Sequence, residues 1–179
     1  MGRISIIAAD ADSAKVSHSS QYRDLANLLQ RQGHEVITSW GFIPGCETAQ
    51  AQRERTRADL FIVFNTASLL ADPTYDRAYR PAVLKAGESG KTVIVNLGYS
   101  SIDYAPEKDL PLVPGQPIKN SADWMKVNSE ILGRISSLGI LANPQQVSGA
   151  YNNPLNDHFG DREESRRERD GDLQKQVFQ

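Results

Sequence analysis

The sequence predicts a doubly wound α/β domain of flavodoxin-like type, a parallel sheet of about five strands with helices on both faces. Three observations predict it. The runs ISIIAA (4–9), EVIT (35–38), DLFIVF (59–64) and TVIVNL (92–97) are short, rich in apolar and β-branched residues, and do not alternate with period two. Strands of that kind are buried on both sides, the situation of a parallel sheet. Segments of helical periodicity separate them, in the order that βαβ units require. The chain has 179 residues, 39% of them hydrophobic, enough for one domain with a sizeable core.

Taken in order, ISIIAA is the first strand, a continuous buried run. Tyr22, Leu25, Ala26 and Leu29 then recur at i, i+3, i+4 and i+7, one face of a helix, with Gly33 as its C-terminal stop. EVIT is the second strand, and a polar helix is expected over about 47–57 before DLFIVF, the third. A further helix ends near Gly87. Pro81 would cost ~3 kcal/mol in a helix interior, so that helix is expected to begin at about Arg80, with the proline in its first turn. TVIVNL is the fourth strand, and a weak fifth is expected near Gln116–Ile118. Trp124, Val127, Ile131, Ile135 and Leu138 form the apolar side of a closing helix, for which Asp123 or Ser121 supplies the cap.

Residues 1–142 carry 15 Lys+Arg and 15 Asp+Glu, whereas 143–179 carry 5 against 7, the whole of the net charge of −2. Ten of the twelve residues in DREESRRERDGD are charged, and 143–156 is rich in Asn, Gln, Gly and Pro. Such composition buries too little apolar area to offset the entropy of ordering. The expected organisation is therefore a folded domain over 1–142 and a polar, disordered tail over 143–179. The balanced charge argues against nucleic acid or an anionic membrane as partner. No run approaches the ~20 apolar residues that span a bilayer. The short N-terminal run is interrupted by Asp10 and Asp12, where an export signal would be cleaved. With one cysteine, Cys46, an internal disulfide framework is excluded, and a cytoplasmic protein is expected.

Ligands of open α/β sheets bind at the carboxyl ends of the strands, here Ala8–Asp12, Ser39–Gly45, Asn65–Ser68 and Asn96–Ser100. Several known chemistries fail there. GESGKT (87–92) has Lys85 where a Walker loop needs its first glycine, and it leads into a strand. No G-x-G-x-x-G follows the first strand. His18, His34 and His158 lack metal-ligand spacing, so no metal is expected. Asp10 and Asp12 resemble the acidic pair of phosphoacceptor receivers, but those need a further Asp at the end of the third strand, where Phe64-Asn65 stands. Phe42-Ile43-Pro44-Gly45 is the most specific loop. It carries apolar side chains on a fixed turn, which are disfavoured in water unless something docks on them.

The order of these segments resembles the bacterial type of TIR (Toll/interleukin-1 receptor) domain, from Arg3 to about Leu138. The resemblance rests on ISIIAADAD, on GFIPGCETAQAQRERTRADLFIVFNTASLLADPTYD, and on LPLVPGQPIKNSADWMKVNSEILGRI. The IPG loop, polar helix and ADLFIVF look like the family's BB loop, second helix and following strand. The resemblance implies NAD⁺ as a substrate and no further cofactor, with cleavage at the nicotinamide–ribose bond by an NAD⁺ glycohydrolase or ADP-ribosyl cyclase. It implies a role in bacterial antiphage defence or signalling, assembly into homo-oligomers, and a downstream effector protein. The substrate pocket it implies is formed by Ala9, Asp10, Phe42, Ile43, Thr66 and Ser68, with Tyr75 and Tyr79 near the nicotinamide. Phe42, Ile43, Pro44 and Gly45 would form the BB-loop interface between copies.

Cleavage of an N-glycosidic bond develops oxocarbenium character on the ribose, which a carboxylate stabilises. The family's catalytic Glu aligns with Ala78, or with Ala82 under another gap. Ala78 is then a natural loss or an introduced Glu→Ala change, unless Asp76 or Glu88 substitutes. Two other readings stand beside the enzyme lineage. One is a non-catalytic TIR scaffold assembling through the BB loop; the other is a nucleoside-deoxyribosyltransferase-like enzyme, against which the IPG loop argues.

Overall fold

The computed structural model describes residues 2–9, 16–38, 53, 56–98 and 100–143, all within one unit, Met1–Val147. Apart from Asn143, the expected polar tail lies outside the described residues, as do Asp10, the Phe42–Gly45 loop, Cys46 and most of the expected 47–57 helix.

Five parallel strands form one sheet: β1 (Arg3–Ile7), β2 (Glu35–Thr38), β3 (Leu60–Phe64), β4 (Thr92–Val95) and β5 (Leu112–Val113), in the order β2-β1-β3-β4-β5. Ile4 stands opposite Val36 on one side and Leu60 on the other. Phe61 stands opposite Thr92, and Ile94 opposite Leu112. The predicted flavodoxin-like architecture is the one observed.

The non-alternating strand sequences follow from two cores. On one face Ile4, Ile6, Ala8, Leu60, Ile62, Phe64, Val93 and Val95 meet Tyr22, Leu25, Ala26 and Leu29 of helix α1 (Val16–Arg31). The same face takes Val127, Ile131 and Ile135 of helix α4 (Ser121–Ser137). On the other face Ile7, Ala9, Phe61, Val63 and Ile94 meet Leu69 of the short helix α2 (Ala67–Leu70) and Val83 of helix α3 (Arg80–Glu88). Each fully buried side chain of this size contributes about 1.5–3 kcal/mol. Phe64 joins three elements, edge-on to Tyr22 with centroids 4.3 Å apart and stacked on Trp124 at 6.2 Å.

Helix ends follow the sequence signals in two places and depart from them in a third. Gly33 has φ +84°, a conformation that costs residues with a Cβ. It lets the Gly33 and His34 N–H groups reach back to the Gln30 and Leu29 carbonyls, a Schellman stop. The GESGKT segment is the same device: Gly90 has φ +68°, and the N–H groups of Gly90 and Lys91 bond Gly87 and Ala86. At the start of α4, the cap is Asn120, neither Ser121 nor Asp123. Its Oδ1 accepts the Asp123 N–H at 3.1 Å, while Asp123 accepts the Lys119 N–H at 2.9 Å. Asp123 sits three residues past the cap, the capping-box position, with its 2.9 Å bond going to the N–H of the residue before the cap. The Lys119 N–H bond, followed by that of Lys126, holds its carboxyl below the usual carboxylate range.

The fifth strand is Leu112–Val113, not Gln116–Ile118. Pro111 and Pro114 flank it and read as breakers, but an edge strand tolerates missing donors. The Ile94 and Asn96 N–H groups bond the Pro111 and Val113 carbonyls, and Val113 enters the core. Ile118 only continues the contact, donating to the Asn96 carbonyl at 3.0 Å. Among the described residues no helix is long and apolar enough to cross a membrane.

Candidate functional site

β1 leads into α1 on one face of the sheet, and β3 leads into α2 and α3 on the other. With β1 and β3 adjacent, their carboxyl ends form the topological switch point, where the two crossovers part and leave a crevice. The ladder closes at Ile7, Phe64 and Val95, so the residues expected as strand termini, Ala8, Ala9, Asn96 and Leu97, are strand exits. Polar side chains are buried at this end: Asn65, Thr66 and Asn96. Thr66 caps α2, its Oγ1 accepting the Leu69 N–H at 3.1 Å. Asn96 Oδ1 accepts the Gly98 N–H at 3.1 Å and so shapes its own turn.

Between α2 and α3 the chain makes a π-helical turn, Tyr75–Tyr79. The turn closes with the Arg80 N–H donating to the Tyr75 carbonyl, the i+5 spacing that defines it. α3 starts at Arg80 with Pro81 in its first turn, as the cost of an interior proline predicts. Ala78 lies inside the π turn, half-buried against the apolar cluster that contains Ala9, Leu69, Tyr75 and Tyr79. Its outer side lines an open cavity of ≈ 350 Å³ with Pro73, Thr74 and Arg77. Ala82 is half-buried on the same cluster, one turn further on.

The structure thus gathers Ala9, Tyr75, Ala78 and Tyr79 around one apolar cluster, with Thr66 and the half-buried Ser68 on the adjoining α2 segment. Asp10, Phe42, Ile43, Pro44 and Gly45 fall outside the described residues. Tyr75 and Tyr79 are 2% and 4% exposed, so both rings pack inward. Asp76 is exposed and ion-paired to Arg80, and Glu88 is exposed at the far end of α3.

No family model matches the chain. No curated protein matches it either. The site therefore rests on its own geometry.

That geometry contains a residue the sequence reading did not single out. Glu107, in the 3₁₀ turn Pro106–Asp109, is 1% exposed. Its Oε1 accepts the Tyr75 hydroxyl at 2.8 Å and the Arg80 Nε–H at 2.7 Å; its Oε2 has no partner among the described residues. Arg80 also donates to the Leu70 carbonyl at 3.2 Å and lies 5.0 Å from the Tyr75 ring centroid. Burial, then the Glu107 charge, pushes the Tyr75 hydroxyl well above its ordinary value. Burial opposes the Arg80 charge, but the bond and charge of Glu107 outweigh it and raise the guanidinium further. Glu107 sits between exposed neighbours, Pro106 and Lys108, and reads locally as part of a solvated turn. Among the described residues no group of three His, Cys, Asp or Glu is placed to hold a metal ion.

Proposed function

We propose that this chain is a TIR-type nucleotide-binding domain of the NAD⁺-cleaving lineage, with Ala78 at the position of the catalytic carboxylate. The observation that carries the reading is the place of residue 78. It is half-buried in an irregular turn, on the crossover that leaves the switch-point strand β3, with an open cavity on its outer side. A carboxylate at such a position faces solvent through the cavity while resting on an apolar floor.

The reaction that position would serve breaks the bond between C1′ of the ribose and the nicotinamide nitrogen. Nicotinamide leaves with the electron pair, the ribose becomes oxocarbenium-like, and water or an internal nucleophile attacks C1′ and releases a proton. A carboxylate stabilises the cationic ribose only in the transition state, which is what lowers a barrier. Loss of one positioned group costs ~10²–10⁴ in rate, about 3–5.5 kcal/mol. The chain as it stands binds NAD⁺ and leaves it uncleaved. Its setting is antiphage defence or signalling, and it works as a homo-oligomer.

Nicotinamide release from NAD⁺, compared between this protein and its Ala78→Glu variant at high protein concentration, tests the reading. It predicts a silent parent and an active variant. Silence of both, with the variant folded, removes the enzyme lineage and leaves the scaffold reading.

A further inference from the structure

A glutamate with 1% exposure and one oxygen without a partner among the described residues is an expensive way to join two segments. Apolar residues of similar volume in place of a buried ion pair are often neutral or stabilising, and a buried unsatisfied oxygen calls for an explanation. Glu107 is not placed at random. The two residues bonded to its Oε1, Tyr75 and Arg80, are the two ends of the π turn. Their backbones already share the i+5 bond that closes the turn, and the Arg80 guanidinium lies against the Tyr75 ring. Without a reason to stay, a π turn relaxes to the α spacing. That relaxation shifts the register by one residue, about 100° around the axis.

We propose that Glu107 is a positioning residue: its carboxylate clamps both ends of the Tyr75–Tyr79 turn and so sets the direction in which residue 78 points. The clamp holds whatever the domain binds; its consequence for catalysis rests on the reading of residue 78 given above. Tyr75 supplies a neutral hydroxyl, Arg80 supplies a cation fixed by three further contacts, and the single oxygen Oε1 brings them to one point. The clamp also joins the β3–β4 crossover to the β4–β5 crossover, across 27 and 32 residues of sequence. A change in either crossover therefore reaches residue 78 through one carboxylate.

The experiment has two arms. Amide hydrogen exchange is measured on the full chain carrying Glu107→Leu, Glu107→Gln or Tyr75→Phe. Glu107→Leu is expected to speed exchange of the Asp76–Arg80 amides about tenfold or more, with the amides of β3 and α4 unchanged. Glu107→Gln keeps an acceptor for both donors and stays within about threefold of the parent, and Tyr75→Phe falls between them. Unchanged exchange at Asp76–Arg80 in Glu107→Leu overturns the proposal, as does an acceleration spread evenly over the sheet. Should Glu107→Leu fail to fold, Tyr75→Phe, which loses one hydroxyl, decides by the same two criteria. In the second arm the same changes are made in the Ala78→Glu chain. Glu107→Leu is then expected to lower kcat about tenfold with KM nearly constant, and Glu107→Gln to recover most of it; a change in KM alone counts against the clamp. If Ala78→Glu releases no nicotinamide, the reading of residue 78 fails, while the exchange arm still decides whether the clamp exists.

Discussion

Replacing Arg80 by methionine removes the cation from a carboxylate that cannot reach water. Glu107 is then left with the Tyr75 hydroxyl at 2.8 Å as its remaining partner. Breaking a buried ion pair from one side costs about 3–5 kcal/mol. Arg80→Met should therefore cost about 3–5 kcal/mol. The reverse change is cheaper. Arg80 is 14% exposed and keeps Asp76 and the Leu70 carbonyl as partners, so Glu107→Leu strands no charge; it leaves the buried Tyr75 hydroxyl without its acceptor and should cost about 1–3 kcal/mol. The double variant should cost about the same as Glu107→Leu alone, giving a coupling of about 3–5 kcal/mol. Urea unfolding of the four proteins at pH 7 measures all three quantities. Equal costs for the two single variants would refute the asymmetry derived from burial.

Two further outcomes are expected. His34 is buried, its Nδ1 has no partner among the described residues, and burial lowers its pKa below the ordinary value. The unfolded chain thus binds the proton more readily, so this contribution to stability is present above about pH 6.5 and is lost as the pH falls through the lower folded-state value. The drop in melting temperature from pH 7 to pH 5 should be smaller in His34→Gln than in the parent, and an equal drop would assign the dependence to other groups. Asn120→Ala removes the α4 cap and should cost about 1 kcal/mol in urea unfolding; no change would mean that Asp123 and Ser121 cap the helix unaided.

How much of this was legible in the sequence depends on how local each signal is. β1, β3 and β4 were plain because burial on both faces leaves runs such as LFIVF with no polar position. The Gly33 stop was readable from a periodic face ending at Leu29, four residues before a glycine. β5 was misplaced because two residues carry no period, and the prolines beside them suggest a break until the edge position is known. The α4 cap is Asn120, where the sequence offers Ser121 or Asp123, since several polar residues in a row present themselves as caps. The π turn has no sequence signature of its own. Residue 78 came into view only through the resemblance, which located a position but not its surroundings. Glu107 was invisible because its partners are 27 and 32 residues away. No local pattern distinguishes a buried glutamate from its exposed neighbours when the burial is made by another crossover.

The proposed nucleotide site lies at the switch point, against the turn that carries residue 78. The most direct measurement is a titration of the isotopically labelled protein with NAD⁺, followed by amide chemical shifts. Saturable shifts are expected at Ala8, Ala9, Asn65, Thr66 and Ser68, beyond the carboxyl ends of β1 and β3, and at Ala78 in the π turn. Shifts confined to Gly2, Lys91 and Leu138–Leu141, which line a cavity elsewhere on the domain, or none at about millimolar NAD⁺, would contradict the proposed site.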